Sequence, residues 1–228
     1  MLEVVPSRAY RSPVTQPGYR LGQKPPNAGN RYPAEILTAD EVHRLLAACG
    51  RGVSGVRDRA LIVVLWRAGL RVNEALALRP KDVDLDRGTV RVLHGKGDRA
   101  RTVGLDPTAC AVLERWIERR RALGLTGTKP LFCVISAPTR GKALYSSCVR
   151  EKLKRAAARA GIEKRVHPHG LRHTHAVELA TEGVPMHVIR AQLGHSSLDT
   201  TARYIDHLAP GQVIRAMQVR EWAHSAPR

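Results

Sequence analysis

Acidic side chains are scarce in this sequence, and its cysteines are few and scattered. Against 38 Lys and Arg stand 20 Asp and Glu, a formal charge of +18 and a sequence pI near 10.8. That deficit of negative charge calls for a polyanionic partner. Since no long apolar run or basic amphipathic helix stands out, nucleic acid comes ahead of an anionic membrane. The four cysteines, Cys49, Cys110, Cys133 and Cys148, form no CxxC pair and no dense framework. This argues against a disulfide scaffold or a cysteine zinc site and fits a reducing setting. No continuous apolar h-region opens the chain, and no window approaches the ~18 apolar residues of a membrane span. The expectation is a cytoplasmic or nucleoid-associated protein without membrane contact. There is no internal repeat.

What is present is enough for a core: 228 residues, 43% of them hydrophobic, make one large domain or a domain with an appendage. Residues 1–36 differ from the rest, with six prolines, three glycines and no helical periodicity. Their basic residues, Arg8, Arg11, Arg20, Lys24 and Arg31, suit an arm that lies along DNA. Folded structure is expected from Leu37. In "LTADEVHRLLAACG", Thr38 and Glu41 form a capping box, and Val42, Leu45, Leu46 and Cys49 make one stripe. "RDRALIVVLWRAGL" is apolar nearly all round from Ala60 to Trp66, which predicts a central buried helix stopped by Gly69. A short helix, "VNEALAL", follows Arg71.

The period then changes to two. "TVRVL" at 89–93 and "RTVGL" at 101–105 alternate as the strands of a hairpin around "HGKGDRA". Asp106 and Pro107 occupy the N-cap and first position of a helix whose Leu113, Trp116 and Ile117 face the core. "KPLFCVI" reads as a short strand. Helices follow at about 146–160, 169–182, 186–193 and 200–207, and "GQVIRAMQVREW" has helical spacing. The fold class is α+β, mostly α, with a small antiparallel β-sheet.

Metal-independent chemistry on a phosphodiester needs a nucleophile, cations fixed on the non-bridging oxygens, and an acid for the leaving oxygen. In "HPHGLRHTHA", His169 and Arg172 are three apart and project together from near a helix N-terminus, where backbone N–H groups favour phosphate. Arg71, just beyond Gly69, has Glu74 three residues on to orient its guanidinium. Lys96 sits between two glycines at the hairpin tip. His169 and His173 have the i, i+4 spacing of zinc-binding helices. Gly-Leu-Arg lies between them, however, and Arg172 would set a fixed cation beside the metal, which argues against one. Tyr204 is one of five tyrosines and stands nine positions after His195 in "LGHSSLDTTARYIDH".

Together, "GLRVNEALAL", the hairpin lysine in "HGKGDRART", "HPHGLRHTHA" and "LGHSSLDTTARYIDH" resemble the motifs of the tyrosine recombinases, the phage-integrase family, in order and separation. The resemblance covers residues 37 to about 210 and implies an integrase-like catalytic domain over 37–228. It implies that Arg71, Lys96, His169, Arg172 and His195 form the catalytic pocket, with Tyr204 the nucleophile and Glu74 supporting Arg71. The implied reaction cleaves and rejoins double-stranded DNA at a specific site through a 3′-phosphotyrosyl bond, with no metal and no cofactor. The implied assembly is a homotetramer on two duplexes, with room for an accessory DNA-bending protein. Residues 211–228 pack either on their own domain or on a partner subunit, and Tyr204 acts either in its own pocket or in a neighbour's. Two departures stand out. Family members commonly carry a helical core-binding domain ahead of the catalytic one. Here only the arm precedes Leu37, below the ~50 residues of a small domain, so no full core-binding domain is expected: the chain reads as a catalytic fragment or a minimal recombinase. Gly170 also stands where an acidic residue is frequent. The rival readings are a type IB topoisomerase-like relaxing enzyme, which rejoins a strand to its own duplex, and a weak or inactive DNA-binding regulator derived from a recombinase.

Overall fold

The computed structural model describes residues 35–93, 100–125, 127–194 and 217–218. The first helix, α1 (Ala39–Ala47), opens on the expected capping box: Thr38 Oγ1 accepts from the Glu41 N–H at 3.2 Å, and Glu41 Oε2 accepts from the Thr38 N–H at 2.7 Å. Such a cap is worth about 1 kcal/mol. Glu41 Oε2 also accepts from Lys164 Nζ, whose other partner is the Ile36 carbonyl. The Glu35 carboxylate accepts from the Arg165 N–H, and the Leu37 N–H donates to Thr174 Oγ1. Glu35 and Ile36, assigned to the arm from composition, are therefore hydrogen-bonded to the folded domain. The remaining arm cations, Arg8, Arg11, Arg20, Lys24 and Arg31, lie outside the described residues.

The central helix α2 (Val53–Arg67) is buried at every position from Ala60 to Leu65, as its all-round apolar sequence requires. It starts four residues before Arg57, with Gly52 as its N-cap. After α3 (Val72–Ala77) and a 3₁₀ turn (Pro80–Asp82) comes a three-stranded antiparallel sheet in the order β1 (Val83–Asp84), β2 (Thr89–Val92), β3 (Arg101–Gly104). β2 and β3 form the expected hairpin, with Val90 opposite Val103 and Val92 opposite Arg101. The strand β1 was not expected from sequence, since two residues are too few for alternation to show.

Asp106 caps α4 (Pro107–Ala122), its Oδ1 accepting from the Ala109 N–H, with Pro107 in the first turn. α4 buries Leu113, Trp116 and Ile117 and packs on α2 together with α6 (Pro168–Thr181). Between α4 and α5 (Ser146–Arg159) the expected strand at 129–135 does not form; Cys133 makes one isolated bridge with Ala143. Its backbone is engaged elsewhere. Trp116 Nε1 donates to the Leu131 carbonyl, Arg57 to that of Cys133, and the buried Arg120 guanidinium to those of Lys129 and Pro130. Side-chain donors have taken the acceptors that a neighbouring strand would need.

The last described helix, α7 (Met186–Leu193), closes a second small core of Ala176, Ala180, Ile189 and Leu193 against α6. The expected helix at 200–207 and nearly all of the helical segment from 211 lie outside the described residues. Among the described residues, no helix is long and apolar enough to cross a membrane.

His175, on α6, is buried against Gly69 and Leu193, and neither ring nitrogen has a hydrogen-bond partner among the described residues. Burial first, then the charges of Arg67 and Arg172, lower its pKa from 6.5 to about 3. The folded protein thus holds a neutral ring that the unfolded chain protonates, so stability is lost as pH falls from about 6.5 towards 3. His175→Phe should raise stability by about 1 kcal/mol at neutral pH, because an unpaired buried polar group is removed. The gain should grow towards pH 4 in thermal unfolding. An advantage that stays constant with pH would count against the neutral, unpaired ring.

Candidate functional site

The site forms where α2 ends, α3 and α6 begin, and α7 ends. Arg172, in the first turns of α6, is 1% exposed, and its fork spans the ends of two helices: Nη1 donates to the Gly69 carbonyl at 2.5 Å and Nη2 to the Leu193 carbonyl at 2.6 Å. Gly69 adopts a left-handed φ of 61°, and a Cβ there would lie within 2.8 Å of the Leu193 and His175 side chains. Both the conformation and the close packing of α2 on α6 and α7 require glycine.

Two residues on, Arg71 occupies the N-cap position of α3. Its N–H donates to Glu74 Oε2 at 2.9 Å and its Nη1 to Glu74 Oε1 at 2.8 Å, while Nη2 reaches the Gly194 carbonyl at 3.4 Å. The Glu74 carboxylate thus bonds both the guanidinium and the backbone N–H of Arg71. A second arginine shares that carboxylate: Arg101 of β3 donates to both Glu74 oxygens, at 2.9 and 2.8 Å. Burial would raise the pKa of Glu74, but the Arg101 fork and the Arg71 backbone N–H bring it down to about 2. Sequence reasoning passed over Arg101. Its signal was alternation: it shares a face with the buried Val103 two residues on, so it points inward from the hairpin.

His169 stands at the surface of the first turn of α6, its ring edge-on to that of His173 with centroids 4.4 Å apart. Partial burial of the ring, then the charges of Arg172, His167 and Arg71, lower its pKa to about 4. At neutral pH it is an uncharged imidazole that can accept a proton. Among the described residues, no group of three or more His, Cys, Asp or Glu could hold a metal ion.

Gln192, near the end of α7, locks this helix to the sheet edge: its amide accepts from the Gly104 N–H and donates to the Gly104 carbonyl, each at 3.0 Å. The chain then leaves α7 through Gly194, at φ 64°. Arg71, Glu74, His169 and Arg172 are thus brought together. Lys96, His195 and Tyr204 lie outside the described residues. The described ends of their segments adjoin the cluster: β3 begins at Arg101, and Gly194, which precedes His195, is in contact with both Arg71 and Arg101. Two guanidiniums on the Glu74 carboxylate and a third, that of Arg172, on backbone carbonyls leave the cluster with more positive than negative charge, which suits an anion with several oxygens.

The sequence profile of the phage integrase family matches residues 35–210. The chain belongs to the phage integrase family. Tyrosine recombinase XerC of Xanthomonas axonopodis pv. citri is 38% identical over 189 residues, covering 81% of this chain and 59% of the relative. The chain spans about three fifths of the length of the curated recombinases it matches. Among solved structures, XerA recombinase superposes with a TM-score of 0.70 at 28% identity, covering 86% of this chain and 69% of that one. XerH site-specific recombinase bound to palindromic difH substrate superposes at 0.65 and 28% identity, covering 82% and 53%. These integrase-family likenesses carry the fold class expected from sequence, a helical domain with a small antiparallel sheet.

Arg172→Lys should lower stability by about 1–3 kcal/mol, because one ammonium cannot replace a fork that spans two buried carbonyls. Thermal unfolding reads this as a melting point lower by several degrees. An unchanged midpoint would show that the two carbonyl bonds contribute nothing to the fold.

Proposed function

We propose that this chain is the strand-cutting and rejoining domain of a site-specific DNA recombinase. The observation that carries the reading is the convergence of Arg71 and Arg172, from distant parts of the chain, on the turn at Leu193 and Gly194 that leads into His195. The names of the related recombinases and the DNA-bound XerH neighbour support DNA as the partner.

In this mechanism Tyr204 attacks the scissile phosphate in line, a 3′-phosphotyrosyl bond forms, and the 5′-oxygen leaves as a hydroxyl. That hydroxyl then attacks the phosphotyrosine of a partner duplex, so the strands exchange. A phenol with a pKa near 10 is a weak nucleophile at neutral pH, and it needs a base or a positive field. Arg71 and Arg172 supply the field and stabilise the charge that grows on the non-bridging oxygens. His169 exchanges a proton with Tyr204, Lys96 protonates the leaving oxygen, and His195 hydrogen-bonds a non-bridging oxygen. The basic residues Arg8, Arg11, Arg20, Lys24 and Arg31 track the backbone of the duplex. Four chains act on two duplexes in the cytoplasm.

Incubated in EDTA with nicked duplexes of randomised sequence, the wild-type protein should form an adduct that survives SDS. Tyr204→Phe should bind the same DNA without forming it. An adduct that persists in the Phe variant would remove Tyr204 as nucleophile. Noncovalent binding should also weaken steeply with salt, by about 10³-fold or more between 50 and 200 mM if six or more phosphates are neutralised. A flat salt response would sink the electrostatic part of the proposal.

A further inference from the structure

Resting on the recombinase reading above, we infer that Arg101 is a positioning residue for strand cleavage: it takes up the charge of Glu74, leaving that of Arg71 for the phosphate, and it joins the hairpin to the turn at Gly194.

The buried Glu74 carboxylate receives four hydrogen bonds. Two come from the Arg101 fork, one from the Arg71 guanidinium and one from the Arg71 backbone. With Arg71 alone, the carboxylate and the guanidinium would form a neutral pair, and an approaching phosphate would meet a cation already compensated. With Arg101 present, the three side chains carry one net positive charge. Exposure decides which guanidinium delivers it: the Arg71 side chain is 29% exposed and that of Arg101 is 13%. Arg71 therefore faces the ligand, and Arg101 stands behind the carboxylate.

The second contact of Arg101 is steric. A Cβ placed on Gly194 would lie 2.6 Å from Arg101 Nε and 2.8 Å from Cδ and Cζ, so the backbone of that turn lies directly against the guanidinium. Arg101 also pairs with Val92 at the last described rung of the hairpin before the loop that carries Lys96. The same residue thus bonds the carboxylate that orients Arg71, stands at the root of the Lys96 loop and lies against the residue before His195.

Arg101→Met, Arg101→Lys and the double variant Arg101→Met/Glu74→Gln are compared with wild type on one nicked, randomised duplex pool. Adduct formation is scored per folded molecule, with thermal unfolding and noncovalent affinity measured alongside. Arg101→Met should form adduct about 100-fold more slowly while its DNA affinity stays within about threefold, the pattern of a group that acts in the transition state. The double variant has no carboxylate charge to neutralise Arg71, so it should regain at least about tenfold over Arg101→Met. Arg101→Lys, which keeps the charge and loses the fork, should fall between wild type and Arg101→Met. A merely structural role predicts no such rescue once the rate is taken per folded molecule. Cleavage by Arg101→Met at the wild-type rate, or a double variant no faster than Arg101→Met, overturns the inference. If Arg101→Met does not fold, the other two decide: each keeps Arg71 uncompensated and should stay within about tenfold of wild type, and a loss beyond about 100-fold in both overturns it. A wild type that forms no adduct refutes the recombinase reading itself. A wild-type adduct with indifferent variants refutes only the role of Arg101.

Discussion

The site depends on one buried guanidinium bonded to the backbone. Arg172 lies in the core, and its fork donates to the carbonyls of Gly69 and Leu193, at the C-terminal ends of α2 and α7. Helix C-termini carry partial negative charge, so two of them stabilise a cation without cancelling it as a carboxylate would. The same two bonds tie α2, α6 and α7 into one junction, so packing and charge have a common origin there. The site's second cation does face a carboxylate, Glu74, and Arg101 supplies the extra positive charge that keeps the balance in favour of an anion.

Because these cations are fixed by structure before any ligand arrives, little reorganisation is left for the moment of reaction, which is the usual source of strong electrostatic stabilisation. Neighbouring groups are shifted as well: burial first, then the charges of Arg172, His167 and Arg71, lower the pKa of His169, and the Arg101 fork and Arg71 keep Glu74 ionised well below the ordinary carboxylate range.

Much of the fold was legible where the signal was local. The capping box at Thr38 and Glu41, the all-round apolar run of α2, the alternation in β2 and β3 and the Asp106–Pro107 start of α4 each depend on residues within a few positions of one another. The failures share a different cause. Apolar composition suggested a strand at 129–135, but Trp116, Arg57 and Arg120 reach in from two helices and occupy its carbonyls. The arm boundary was drawn after Ile36 because composition changes there, whereas Glu35 and Ile36 are held by Arg165 and Lys164 more than a hundred residues away.

The sequence by itself determined most of the helices and the hairpin, since spacing along a helix or around a turn is dictated by near neighbours, whereas Arg71, Glu74, His169 and Arg172 were joined as one set only by the resemblance of their motifs to a family. Only the tertiary structure decided which of the 38 basic residues stand behind that set. Arg101 reaches Glu74 across 27 positions, and Arg172 reaches Gly69 across 103. No local period records such distances. They follow from how the buried faces of α2, α6 and α7 pack, and that packing places a guanidinium against a carbonyl rather than in water.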